Sequence, residues 1–275
     1  MPNATIHTSV HTISTGKQLF LTYLKANFRE IDFRYIGNQA VPNTPYYGTN
    51  GVYYDGGSNL VSIALNNGNY IRSGGPAGYN GEQNRGVPRD CGTFIVLNSN
   101  ISGMDCICDK FSSIGSSGIT YNGVSIARSS IRLAVGGTSL YTGTAHNSMT
   151  QTQFYNAIAP EDPGDPTGTR PRTALIYTGG TANSLNTVLL TVFGDNNMVS
   201  SPNLGPTLWE LRTLIREFPA FKLPNGNPPV QAINLDGGGS TQITYKDVAG
   251  LRKSFYADNG GGSMRNVQSM LCVTM

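Results

Sequence analysis

A chain of 275 residues can bury a substantial core, and one large domain, 1–275, is the simplest way to do so. Charged residues are only 13%, glycines number 34 and the net charge is +3 with no basic run, which argues against a helical bundle and against a nucleic-acid partner. No apolar stretch reaches the roughly 20 residues of a membrane-spanning helix, so the expected class is a β-rich α+β domain, with twisted mixed sheets, a few packing helices and no membrane partner.

The first 30 residues lack a basic start followed by an apolar core and a cleavage site. No secretion signal is therefore expected, and a cytoplasmic or phage-associated location is favoured. His7 and His11 in "HTSVHTI" have the spacing of helical metal ligands, but Ile6, Thr8, Val10, Thr12 and Ile13 favour a strand and the glutamate of a zinc motif is missing. Residues 17–28, "KQLFLTYLKANF", are apolar without a period that decides between helix and strand.

Residues 46–57, "YYGTNGVYYDGG", read as a turn rich in Tyr, Asn and Asp, groups suited to stacking on and hydrogen-bonding a sugar. "LVSIAL" (60–65) reads as a strand, and 66–93 as a long polar loop. Cys91, Cys106, Cys108 and Cys272 form no CxxC pair, which leaves buried free thiols as the expectation, with no metal and no cofactor. Further strands are expected at "TFIVLN" (93–98), "SIRLAV" (130–135), "TALIYT" (173–178) and "NTVLLTVF" (186–193). His146 sits in a loop-like "TGTAHNS", a position open to acid–base work or plain exposure. Proline, glycine and three acids crowd "APEDPGDPTGTRPRT" (159–173), so 159–172 is expected to be a flexible loop or lid.

One helix is well marked. In "PTLWELRTLIREFP" (206–219), Leu208, Leu211, Ile215 and Phe218 share a face, Thr207 can cap the start, Pro219 ends the run and Trp209 is expected to pack. The next apolar segment, Val230 to Leu235, suits a buried strand, and Asp236 stands at its end before Gly237, Gly238, Gly239, Ser240 and Thr241. "TQITY" then resumes a strand. A Walker loop or a dinucleotide fingerprint would open a helix here, and neither fits. Two readings of the turn stay open: a nest of N–H groups from Gly237 to Ser240 that holds an anion beside a carboxylate, or a Gly-rich hairpin in which Asp236 bonds its own backbone.

"INLDGGGSTQITY" (233–245) resembles the signature of the phosphodiester glycosidase family. Three further blocks occur in the family's order: "GTNGVYYDGG" (48–57) is similar to its Asn-Gly-Gly-Phe-Phe segment, "RPRTALIYTG" (170–179) to its Arg-Thr-Ala strand, and "GGSMRNVQSMLCV" (261–273) to its closing segment. Val52, Tyr53, Tyr54 and Asn266 depart from the pattern, residues 1–45 are divergent, and 66–160 hold no recognisable block. The resemblance implies hydrolysis of a sugar 1-phosphodiester at its anomeric bond. It assigns Asp236 as nucleophile or general base, Arg172 or Arg265 as a phosphate clamp, the 237–240 turn as an anion nest, and Asn50, Tyr53, Asp55, Asn234 and Thr241 to the sugar. Two other roles are compatible with the same residues: a hydrolase or sequestering protein for a nucleotide-type, cyclic ADP-ribose-like signal, and a non-catalytic glycan-binding or particle module.

Overall fold

A computed structural model describes residues 4–55, 59–71, 89–142, 148–161, 164–179, 185–222 and 231–273. Strands dominate it and are gathered into three main sheets, which bears out the β-rich α+β class. The first sheet has six strands in the order Ala4–Thr12, Gln18–Ala26, Thr187–Phe193, Arg172–Tyr177, Gln231–Asn234 and Thr138–Tyr141, all antiparallel. The second, also of six, runs Val199–Ser200, Arg252–Ala257, Gln242–Lys246, Tyr47–Asn50, Val267–Val273 and Ile31–Gln39, with one parallel pair at its edge. The third, of five, runs Asn69–Tyr70, Ala64–Asn66, Ile131–Gly136, Cys91–Ile101 and Met104–Phe111.

The segment 17–28 that carried no period is mostly strand. Gln18–Ala26 sits second in the first sheet and is buried on both faces, so its side chains have no reason to alternate. One of its faces contributes to the main core. Leu24, Leu189, Leu175 and Ile233 lie opposite one another across four strands and pack with Phe94, Val96, Leu133 and Val135 of the third sheet and Phe33, Ile243 and Leu271 of the second. Each such side chain removed from water contributes roughly 1.5–3 kcal/mol.

Both α-helices among the described residues cover the other face of the first sheet. Leu208–Glu217 packs Leu208, Leu211, Leu214 and Ile215 against Ala174, Ile176, Val188 and Leu190. Thr207 caps its start as the sequence led one to expect, and Glu210 completes a reciprocal cap that was not foreseen. Trp209 packs on Phe154 with ring centroids 5.8 Å apart. Gln151–Ile158 was not foreseen, although Thr150 and Gln153 carry the same capping pattern.

Several boundaries differ from expectation. Tyr47–Asn50 is an interior strand of the second sheet, so the turn read over 46–57 begins only after Asn50. "LVSIAL" is strand only from Ala64, because Leu60 and Val61 pair instead with Tyr54 and Tyr53. The loop read over 66–93 contains the hairpin Ala64–Asn66 with Asn69–Tyr70, and its end already belongs to Cys91–Ile101. His7 and His11 lie on a strand, about 13 Å apart at strand rise, where His7 stacks on Tyr23 and His11 meets Phe218 edge-on. All four cysteines are free thiols; Cys91, Cys108 and Cys272 are buried and Cys106 partly so. No described helix is long and apolar enough to cross a membrane. His146 lies outside the described residues.

Candidate active site

Asp236 stands where the chain passes from the first sheet to the second. Leu235 N–H still donates to Thr173 O (2.8 Å), extending the first sheet by one residue, and Asp236 N–H then donates to Gly51 O (3.2 Å), just beyond a strand of the second sheet. Gly238–Ser240 form a single 3₁₀ turn before Gln242–Lys246 enters the second sheet. The unit is strand, turn, strand, but the two strands belong to different sheets, so the hairpin part of that reading falls while its local bond from backbone to Asp236 is present. Gly238 is the glycine the turn requires, with φ +59°.

The anion nest is not formed as expected. Gly237 N–H donates to the Asp236 side chain (Oδ1, 2.9 Å), Gly238 N–H to Pro171 O (2.8 Å) and Ser240 N–H to Gly237 O (3.2 Å). Three of the four donors are thus engaged, which leaves Gly239 as the remaining candidate. Thr241 is fully buried and, like Gly238, Gly239 and Ser240, lies outside the lining of the cavity described next.

A cavity of about 340 Å³ opens beside Asp236, lined by Tyr53, Tyr54, Thr138, Glu161, Asp165, Arg170, Arg172, Gly237 and Arg265. Burial pushes the Asp236 carboxyl up to about 6, against the pull of the nearby Ser240 hydroxyl, the Arg265 charge and the Gly237 N–H. The Ser240 hydroxyl makes no geometrically proper hydrogen bond among the described residues; its effect on the carboxyl is one of proximity. Asp236 therefore changes charge within reach of neutral pH.

Both expected clamp residues line this cavity, with different support. Arg172 is buried, and its Nε and Nη2 donate to Pro206 O (3.2 Å), Asp165 O (3.0 Å) and Gly168 O (2.9 Å). Burial lowers it to about 10, so it stays cationic at neutral pH. Arg265 is exposed, with its guanidinium over the Tyr54 ring at 5.6 Å and its side chain passing above Gly239. Among the described residues neither arginine is ion-paired with a carboxylate, whereas Arg170 pairs with Asp165 at 2.6 Å. Within 159–172, the stretch expected to be a flexible loop or lid, hydrogen bonds hold Glu161, Asp165, Pro166 and Gly168 individually.

The expected sugar contacts divide. Tyr53 lines the cavity; its hydroxyl accepts from Asn234 Nδ2 (2.6 Å) and lies 3.2 Å from Thr138 Oγ1. Burial raises it to about 12, which keeps it a neutral phenol. Asn234 reaches the cavity only through that bond. Asn50 is fully buried and bonds Asp236 O, Thr173 Oγ1 and Gln242 N–H, so it braces the site and does not touch its contents. Asp55 accepts from Asn59 N–H and Nδ2 through its two carboxylate oxygens and lies off the cavity wall.

Sequence reasoning missed Glu161 and Arg170. Both fall in the stretch whose proline and glycine content reads as loop, and nothing in that composition signals that Glu161 is buried on the cavity wall.

The sequence profile of the phosphodiester glycosidase family matches residues 43–274. The chain belongs to that family. The match starts after Ala4–Thr12 and Gln18–Ala26, yet those strands complete the first sheet. The fold is similar to that of the zebrafish N-acetylglucosamine-1-phosphodiester alpha-N-acetylglucosaminidase catalytic domain, in a structure where a pro-peptide auto-inhibits it. The TM-score is 0.60 at 16% identity, over 100% of this chain and 84% of that one. At such identity the likeness speaks for the fold alone. A Burkholderia pseudomallei protein aligns over 98% of this chain and 57% of its own at 14% identity, with a TM-score of 0.34, too low to carry an argument. Among curated proteins none matches by sequence.

Proposed function

We propose that this phosphodiester glycosidase family member hydrolyses the anomeric bond of a sugar 1-phosphodiester. Water supplies the oxygen that ends on the anomeric carbon, the bond from that carbon to the phosphate oxygen breaks, and a phosphate monoester leaves. The observation that carries this reading is the meeting of Asp236 with three guanidinium groups in one cavity, two of them without a carboxylate partner among the described residues.

The chemistry suits that inventory. Ordinary glycosidases need a second carboxyl group to protonate a departing alkoxide. A phosphate monoester departs without that help and asks mainly for compensation of its charge, which Arg265 and Arg172 supply. Asp236, ionised above about pH 6, acts on the anomeric carbon directly or on the water that attacks it. Tyr53, held neutral, offers its hydroxyl to the sugar.

The test is a panel of sugar 1-phosphodiesters run beside cyclic ADP-ribose-like compounds, with released monoester and anomeric configuration read by NMR. Turnover of the first group supports the reading; a retained configuration makes Asp236 the nucleophile and an inverted one makes it the base. Turnover confined to the second group replaces the substrate class, and binding without turnover leaves a recognition module.

A further inference from the structure

Glu161 has no part in the reaction outlined above, yet its side chain is wholly buried and it lines the same cavity as Asp236. A carboxylate in that position needs partners. It has three. Oε1 lies 2.7 Å from Lys110 Nζ, and Oε2 accepts from Ser139 N–H at 2.7 Å and Gly92 N–H at 3.1 Å. The ammonium of Lys110 balances one oxygen, and two backbone N–H groups occupy the other.

What it holds matters more than its charge. Ser139 belongs to Thr138–Tyr141, the last strand of the first sheet, which has a neighbour on one side only. Its outer side carries backbone groups that another strand would pair in a sheet interior. Glu161 Oε2 takes the place of that strand at Ser139, and by gripping Gly92 as well it ties the edge to Cys91–Ile101 of the third sheet. The approach is close enough that a Cβ on Gly92 would lie 2.8 Å from Ser139 N. Thr138, next along, presents Oγ1 to the Tyr53 hydroxyl, and that hydroxyl accepts from Asn234, two residues before Asp236.

We propose that Glu161 is a positioning residue: through the edge strand and Thr138 it sets the place of the Tyr53 hydroxyl in the cavity, with Lys110 balancing its charge. The substrate side of this inference rests on the glycosidase reading, but the link from Glu161 to Tyr53 is testable without it.

Two measurements test the link on the full chain. In NMR with tyrosine labelled at the ζ carbon, the resonance identified as Tyr53 by its loss in Tyr53→Phe is expected to shift in Glu161→Gln, which keeps the size but leaves Lys110 without its counter-charge. An unmoved resonance in folded Glu161→Gln overturns the proposal, whether or not the protein is active. In kinetics on a sugar 1-phosphodiester, Glu161→Gln is expected to lower kcat about tenfold, part of the roughly 10²-fold that misplacing a substrate-contacting group brings. In a Tyr53→Phe background the same change should cost little more, because its target is gone. Fully additive losses would show that Glu161 does not act through Tyr53 and would overturn the proposal. Should Glu161→Gln fold poorly, Glu161→Met with Lys110→Met removes both charges together and is read by the same two criteria. If the wild type releases no phosphate monoester, the glycosidase reading fails on its own and the tyrosine resonance alone decides the link.

Discussion

The Asn50 side-chain amide donates to the backbone carbonyl of Asp236 at 2.8 Å, joining residues 186 apart in sequence. The same carboxamide accepts from Thr173 Oγ1 at 2.7 Å and Gln242 N–H at 3.0 Å, so one buried side chain fastens both sheets around the candidate catalytic carboxylate. Asn50→Ala would leave three buried polar groups without their partner. It is expected to lower stability by about 3 kcal/mol in urea unfolding, at roughly 1 kcal/mol for each bond, and to reduce turnover per folded molecule. A raised KM with unchanged stability would instead place Asn50 in contact with substrate.

The raised Asp236 carboxyl ties activity and stability to pH in opposite senses. If the ionised form is the active one, kcat/KM rises as pH passes upward through about 6 and then levels. For stability, the folded chain holds this proton up to about pH 6, whereas an unfolded carboxyl releases it near 4. Stability is thus lost as pH rises from about 4 through about 6, by an amount of the order of 1–3 kcal/mol. Asp236→Asn cannot ionise and is expected to be more stable than wild type at pH values above about 7. Thermal melts across this range check it: the advantage should shrink as the pH is lowered toward 4, and no advantage above 7 would contradict the assigned burial cost.

Arg172 and Arg265 are predicted to part company on replacement by lysine, which keeps the charge but loses the planar fork. Arg172→Lys forfeits bonds to Pro206, Asp165 and Gly168 and should cost about 2–4 kcal/mol of stability as well as activity. Arg265 is exposed and makes no ion pair among the described residues, so Arg265→Lys should leave stability within about 0.5 kcal/mol. Its phosphodiester turnover should still fall by about 10²-fold or more, the scale on which charge-stabilising donors act. A nitrophenyl glycoside, which has no phosphate to grip, is the control: any residual cleavage of it should be indifferent to Arg265→Lys. Equal losses on both substrates would make Arg265 structural.

How much of this was legible in sequence depended on how local the physics was. The helix at Leu208–Glu217 carries its face, cap and stop within a dozen residues, and the strand that ends before Asp236 carries its apolar run in the same way. Gln18–Ala26 hid its identity because both its faces are buried. Asn50 read as a turn residue because its partners are contributed by distant strands, and Glu161 read as loop because burial by Cys91–Ile101 and Thr138–Tyr141 leaves no mark on a run of prolines. The turn at Gly237–Ser240 was recognisable as special, but that three of its N–H groups are answered by Asp236, Pro171 and the turn itself follows only from the passage between two sheets.

The central claim is that Asp236 performs the bond cleavage, and it is tested most directly by comparing wild type with Asp236→Asn on a sugar 1-phosphodiester, following phosphate monoester release by phosphorus NMR. The expected result is turnover by the wild type and a loss of about 10²-fold or more in a variant with an unchanged circular dichroism spectrum. Activity of Asp236→Asn within about tenfold of wild type would remove Asp236 from the mechanism.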